Sequence, residues 1–238
     1  MIRLTFHGTR ASTATTSPQH QWHSLLQIEA DETSLLIDCG SDWRDRLPTA
    51  TPDAIILTHG HNDHAGGVTN DIPCPVFASE MTAGLLTSRP KNVRIFPAET
   101  ELSFGPLRVI PFPAPHSLRA PMHGLRISSG DSTLIYLPDV ATLQNVRSLL
   151  GGAALYIGDG SSFDHDYLRT EEGASCGHAS ITDQLSWCAQ AGVRKCLLTH
   201  CGEEVCRNPE AAGLRLAGTG SMLGLKAEFA TDGMVLEL

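Results

Sequence analysis

A short, continuously apolar run, Asp53-Ala-Ile-Ile-Leu-Thr58, passes directly into Thr58-His59-Gly60-His61-Asn62-Asp63-His64-Ala65-Gly66-Gly67. A run of this kind fits a strand buried on both faces, so its sheet must be covered on both sides. The loop that follows offers His59, His61, Asp63 and His64, and imidazole and carboxylate are the groups that hold zinc, manganese or iron. His59 and His61, two apart, can project the same way, while Asp63 and His64 open a predicted helix near 62–70. So many ligands exceed what one open catalytic ion needs, and the spacing points to two adjacent ions. Left unpaired, such a cluster would be costly to bury.

Around this motif the pattern alternates. Strands are predicted at 2–7, 24–29 and 33–38, then near 75–78, 93–96 and 107–111, with a helix near 79–87. The second half repeats the scheme: strands near 123–128 and 133–137, a helix near 141–149, a strand at 153–158, a helix near 179–191 and a strand at 194–199. A helix near 209–217 and strands near 225–229 and 233–238 close the chain. Mixed sheets with helices outside imply a layered α/β sandwich. No fixed-period repeat, low-complexity tract or separating linker interrupts it, so one domain over 1–238 is expected. Two polar loops, 8–23 and 159–178, lack periodicity, and loops of that length inside a compact domain are usually functional or disordered.

Composition narrows the chemistry. The net charge of −9 over 238 residues weakens any reading in which a broad basic surface grips phosphate backbones. No apolar run approaches the roughly 20 residues that cross a bilayer, and residues 1–6 enter strand character rather than a signal peptide, so a cytoplasmic protein without membrane association is expected. Seven cysteines without a C-x-x-C pair read as buried free thiols rather than a disulfide framework. The eleven histidines are the stronger signal, because several stand beside carboxylates and glycines in loops.

Thr-His-x-His-x-Asp-His-x-x-Gly resembles the signature of the metallo-β-lactamase superfamily. Its ordered partners are present downstream: His116 after Phe112-Pro-Ala-Pro115, Asp139 after Leu134-Ile-Tyr-Leu-Pro138, and His200 after Leu197-Leu-Thr199, each just past an apolar strand. The resemblance implies a four-layer αββα sandwich of two mixed β-sheets with helices on the outer faces. It also implies that His59, His61 and His116 hold one divalent ion, that Asp63, His64 and His200 hold a second, and that Asp139 bridges them. The ions would be zinc or manganese, with iron as a further option. For Asp139 alone, the N-cap of a helix at 141–149 is a rival reading. A water shared by two cations is acidified towards neutral pH, which makes hydrolysis the default reaction.

Gly177-His178-Ala179-Ser180, ahead of the helix near 179–191, resembles the branch that contains PhnP-type cyclic phosphodiesterases and transfer-RNA 3′-processing endonucleases. In that branch a histidine at this place stands by the metals and helps protonate the leaving oxygen or stabilise the phosphoryl group. Asp63 and His178 are therefore the expected catalytic residues. Phe6-His7-Gly8-Thr9 and Leu36-Ile-Asp-Cys-Gly40 are similar to that branch as well, the second supporting the metal loop from below. Arg10 stands where relatives continue with glycine, as a phosphate or carboxylate contact or a surface charge. His20 and His23 replace a cysteine-rich zinc site, either as ligands or in packing roles. Asp159-Gly-Ser-Ser-Phe163 is also reminiscent of the pyrroloquinoline-quinone biosynthesis protein B branch.

Three functions follow as expectations. The first is a phosphodiesterase on a small or cyclic phosphate ester, using a hydroxide held by a dinuclear metal site. The others are an RNA 3′-processing endonuclease, set against the acidic charge and the missing basic arm, and an iron-dependent oxygenase or redox protein, set against the retained His61. The partner is a small-molecule phosphate ester, with nucleic acid disfavoured and a homodimer compatible with the chain.

Overall fold

The computed structural model describes residues 1–48, 51–164 and 167–238. Sixteen strands and six α-helices alternate along it. The strands are β1 (Arg3–Gly8), β2 (Leu25–Ala30), β3 (Thr33–Ile37), β4 (Ala54–Ile56), β5 (Val76–Ala78), β6 (Val93–Ile95), β7 (Leu102–Phe104), β8 (Leu107–Ala114), β9 (Met122–Ser129), β10 (Ser132–Tyr136), β11 (Leu155–Asp159), β12 (Arg169–Glu171), β13 (Ala174–Cys176), β14 (Lys195–Thr199), β15 (Lys226–Phe229) and β16 (Val235–Glu237). The helices are α1 (Asn62–Ala65), α2 (Glu80–Leu85), α3 (Val146–Leu150), α4 (Ile181–Ala191), α5 (Glu203–Arg207) and α6 (Pro209–Met222).

Two seven-stranded sheets carry the fold, in the orders β16-β1-β2-β3-β4-β5-β6 and β15-β14-β11-β10-β9-β8-β7. Each is mixed: β3, β4, β5 and β6 run parallel, as do β10, β11, β14 and β15, while the remaining neighbours are antiparallel. Strand alternation assigns alternate residues to separate cores. Ala54 and Ile56 of β4 join Leu125, Leu134, Ile157 and Leu197 between the sheets, whereas Ile55 and Leu57 face outward onto Ala65 and Val68. The second sheet does the same, with Tyr156, Cys196 and Leu198 packed under Leu185, Leu216 and neighbours of α4 and α6. This is the expected four-layer αββα sandwich, in which the run 54–58 is buried on both faces.

Boundaries differ where local signals misled. The predicted helix near 62–70 is the single turn α1, and the one near 141–149 shrinks to α3, because Asn145 takes a left-handed conformation (φ 54°) and residues before it run as a loop. The helix near 209–217 extends to Met222, capped by the Asn208 side chain accepting from Ala211 N, with Pro209 in its first turn. The polar loop 159–178 contains the small hairpin β12–β13, which the sequence did not signal; its residues 165 and 166 lie outside the described ones. All seven cysteines are buried and free. No helix among the described residues is long and apolar enough to cross a membrane.

Candidate metal centre

The site lies where strand ends of both sheets converge. His59–His64 follow β4, His116 follows β8, Asp139 follows β10, Asp159 closes β11 and His200 follows β14. The two sheets are tied together at this edge, where His123 N donates to Thr58 O at 3.0 Å.

His59 Nε2 and His116 Nε2 lie 2.9 and 3.1 Å from His61 Nδ1, and Asp139 Oδ2 stands 3.3 and 3.4 Å from the same two Nε2 atoms. On the other side, Asp139 Oδ1 is 3.5 Å from His64 Nε2 and 3.1 Å from His200 Nδ1, and His200 Nε2 is 3.1 Å from Asp63 Oδ2. The two oxygens of Asp139 thus face two separate groups, His59/His61/His116 and Asp63/His64/His200, the division the resemblance implied. Asp139 is seven residues ahead of α3, whose N-cap is Asn145, so the helix-cap reading is set aside.

Surrounding groups decide which ring nitrogen faces inward. Asp38 Oδ1 accepts from Thr58 N at 2.8 Å and from Thr58 Oγ1 at 2.9 Å. That hydroxyl proton being spent, Thr58 Oγ1 accepts from His59 Nδ1 at 3.1 Å, which leaves His59 Nε2 as a lone pair towards the cluster. His116 Nδ1 donates to Gly177 O at 3.0 Å, with the same result, and His64 Nδ1 donates to Asp38 Oδ2 at 2.8 Å. Two lone-pair nitrogens, His59 Nε2 and His116 Nε2, thus converge on His61 Nδ1, which has at most one proton to offer them.

The residues fit divalent cations on these grounds. His64 Nε2 and Asp139 Oδ1 are buried and neither makes a hydrogen bond. Four donors at about 2.0–2.1 Å from one ion stand about 3.3 Å apart, close to the spacings around His59, His61, His116 and Asp139. Asp38, Asp63, Asp139 and Asp159 are all buried, a concentration of negative charge that needs cations nearby. Burial, reinforced by His64, holds His59 well below the ordinary imidazole range, and burial lowers His116 to about 4. Burial opposes the charged form of His200 too, yet Asp139, Asp159 and Asp63 outweigh it and raise that group to about 10. Among the described residues, every His/Cys/Asp/Glu group tight enough to hold an ion belongs to this pocket.

His178 stands at the pocket wall, stacked on His200 at 5.5 Å with planes 12° apart. Its Nδ1 lies 2.6 Å from Asp159 Oδ2, whose other oxygen accepts from Ser161 N at 2.9 Å and Ser161 Oγ at 2.6 Å. Burial would lower the His178 pKa, but the Asp159 carboxylate more than offsets it and the group sits above its ordinary value. Asp159 was legible only as the opening of a loop; its side chain is the support that holds two of the site histidines. Tyr167 and Arg169 also line this cavity of about 590 Å³, and neither was singled out from the sequence.

Backbone conformation is strained here. Asp38 and His200 occupy the left-handed region at φ 61° and 51°, a cost that persists where the surroundings fix it. Gly40 is required for close approach, since a Cβ there would fall 2.4 Å from Asp63 O.

The other candidates have structural partners. Arg10 is buried and spends its guanidinium on Gln21 O at 2.9 Å, on Asp42 Oδ2 at 2.8 Å and on Thr13 O, pinning the loop 8–23. His20 Nδ1 meets Thr9 Oγ1 at 2.8 Å, and His23 Nδ1 meets Ser41 Oγ at 3.0 Å, so both take part in packing. Leu36–Gly40 supports the metal loop from below as expected, through Asp38.

A family model described as "Beta-lactamase superfamily domain" matches residues 33–201. The probable metallo-hydrolase YhfI of Bacillus subtilis is 22% identical over 195 residues, covering 73% of this chain and 77% of that protein. The YhfI crystal structure superposes with a TM-score of 0.74 at 19% identity, covering 100% of this chain and 99% of that one. Zinc-bound PqqB from Methylobacterium extorquens gives 0.75 at 15% identity, covering 99% and 100%. A diphosphatase of the PhnP family gives 0.72 at 19%, covering 100% and 97%. At these identities the solved structures speak for the fold.

Proposed function

This chain belongs to the β-lactamase superfamily, and from that membership and its donor set we propose that it is a metal-dependent phosphodiesterase acting on a small or cyclic phosphate ester. Family membership supports a metal-dependent hydrolase; the finer reading is carried by His178, backed by Asp159, beside the ligand cluster. His59, His61, His116 and Asp139 Oδ2 would hold one zinc or manganese ion, and Asp63, His64, His200 and Asp139 Oδ1 the other. When bound, such ions supply Lewis acidity and lower the pKa of water.

The chain's own residues do the rest. Asp159 fixes His178 with Nδ1 engaged, so Nε2 is the atom that can carry a proton to a departing ester oxygen. The raised pKa keeps that proton available near neutrality. Arg169, paired with Glu171 on the hairpin, adds a cation to the pocket wall, and Tyr167 stands edge-on to His178 at 6.3 Å. A pocket of about 590 Å³ in a chain of net charge −9 favours a small substrate over a polynucleotide. The structural likeness to a PhnP-family diphosphatase supports phosphate chemistry.

The test is a panel of bis(p-nitrophenyl) phosphate, a cyclic nucleotide, a lactone, a β-lactam and a thioester, run on metal-loaded wild type and His178→Ala. Phosphodiester turnover that drops sharply in the variant is expected. Preference for the lactone or thioester would overturn the reading.

A further inference from the structure

Beside the metal pocket lies a second, larger cavity of about 830 Å³, the size of a small-molecule site. Its wall is largely apolar: Phe112, Pro115, Leu118, Met122, Leu143 and Leu149. Two features connect it to the metal centre. His116 lines both cavities, and the hairpin β12–β13 walls both, with Arg169 on the metal side and Ala174, Ser175 and Cys176 on the other. The end of the hairpin is clipped onto His116 by two hydrogen bonds, Gly177 N to His116 O at 2.7 Å and His116 Nδ1 to Gly177 O at 3.0 Å.

The two cavities differ in the charged groups they present. The metal pocket is lined by Asp63, Asp139 and Glu203 together with Arg169, itself paired with Glu171, whereas Glu99 is the carboxylate lining the apolar cavity, with no Lys or Arg among its lining residues. Bound divalent ions would therefore draw an anionic group to the metal side, and Glu99 disfavours one in the apolar cavity. His123, which also lines the apolar cavity, has a buried Nδ1 without a hydrogen-bond partner.

We propose that this cavity binds the apolar substituent, an aryl or extended alkyl group, of a phosphodiester whose phosphoryl group sits at the metal centre. The inference rests on the phosphodiesterase reading and adds the substrate class: an amphiphilic diester with one apolar arm.

The experiment uses p-nitrophenyl phosphodiesters whose second ester group is methyl, phenyl or 2-naphthyl, so that the reporting leaving group is constant. It compares metal-loaded wild type with Ser148→Trp on α3 and Ser175→Trp on β13, exposed lining positions whose enlargement would reduce the cavity. Wild type should show KM falling by about tenfold or more from methyl to naphthyl, since burying a ring of this size gains that much. Both variants should lose the trend while keeping the methyl ester's kcat/KM. In parallel, the neutral dye N-phenyl-1-naphthylamine should bind metal-free wild type and lose affinity in both variants. A KM flat across the series in an active enzyme, or dye binding unchanged in both variants, would overturn the proposal. Dye binding that responds to both variants, with no turnover of any diester, would instead overturn the phosphodiesterase reading and with it the assignment of this arm.

Discussion

Replacing Asp159 with asparagine isolates the support behind His178. The carboxylate makes a 2.6 Å contact to His178 Nδ1 and accepts from Ser161 N and Oγ at 2.9 and 2.6 Å. Asparagine keeps an oxygen for Ser161 but presents an amide N–H₂ to His178, so the ring loses its charge-assisted partner and the preference for a proton on Nδ1. A hydrogen bond to a charged group contributes about 1.5–3 kcal/mol, which corresponds to about ten- to 150-fold in a step that depends on it. The loss should appear in kcat for diesters with a poor, alkoxide leaving group, which needs a proton, and shrink for p-nitrophenolate, which does not. Combined with His178→Ala, the second substitution should add little, because both remove one device. Metal content by elemental analysis must be unchanged for the comparison, since Asp159 Oδ1 also lies 3.4 Å from His200 Nδ1. Equal losses for both leaving groups, or additive losses in the double variant at full metal content, would refute the role assigned to Asp159.

Asp139→Ala should lower occupancy of both ions together, because the two oxygens of Asp139 face different ligand groups; loss of one ion alone by elemental analysis would argue against a bridge. Arg169→Ala should raise KM for an anionic diester by about fivefold, a modest effect for a half-exposed cation, with little change for a neutral lactone. Burial lowers His20 to about 4 from 6.5, so above pH 6.5 the group is neutral in both folded and unfolded chains and contributes nothing. As pH falls from 6.5 to 4 the unfolded chain takes up a proton the fold refuses, at a cost of up to about 3 kcal/mol. Urea unfolding of His20→Gln should therefore show a shallower loss of stability across that window than wild type; parallel curves would contradict it.

The sequence displays best what is local. His59, His61, Asp63 and His64 share one turn after one strand, and His116, Asp139 and His200 each follow an apolar run, so their order could be read directly. The supports were less visible because they are made across the chain. Asp159 acts on His178 and His200 from 19 and 41 residues away. Arg10 reads as a surface or ligand-binding cation until Asp42, 32 residues on, is brought beside it. Similarly, the loop 8–23 is held by Asp232, which accepts from Thr9 Oγ1 and from the backbone of Gln21 and Trp22. The hairpin β12–β13 has three-residue strands, too short for any periodicity to show. Residues 141–143 fall in the helix expected near 141–149, but Ala141 N bonds to Pro115 O and Ala179 N to Val140 O, contacts no local window contains.

The division of labour between the two halves of the centre follows from those supports. Around His59 and His116 the outer nitrogen meets neutral acceptors, Thr58 Oγ1 and Gly177 O, and both imidazoles sit below the ordinary range, ready as neutral ligands. Around His64 and His200 the partners are carboxylates, Asp38, Asp63 and Asp159, and despite burial both imidazoles are pushed above it. The second half thus holds protons that a cation must displace, while the first is already deprotonated, so metal uptake there should be the more strongly pH-dependent. His178, stacked on His200 and sharing Asp159 with it, belongs to that proton-holding half, which is where a residue that delivers a proton to a leaving oxygen has to stand.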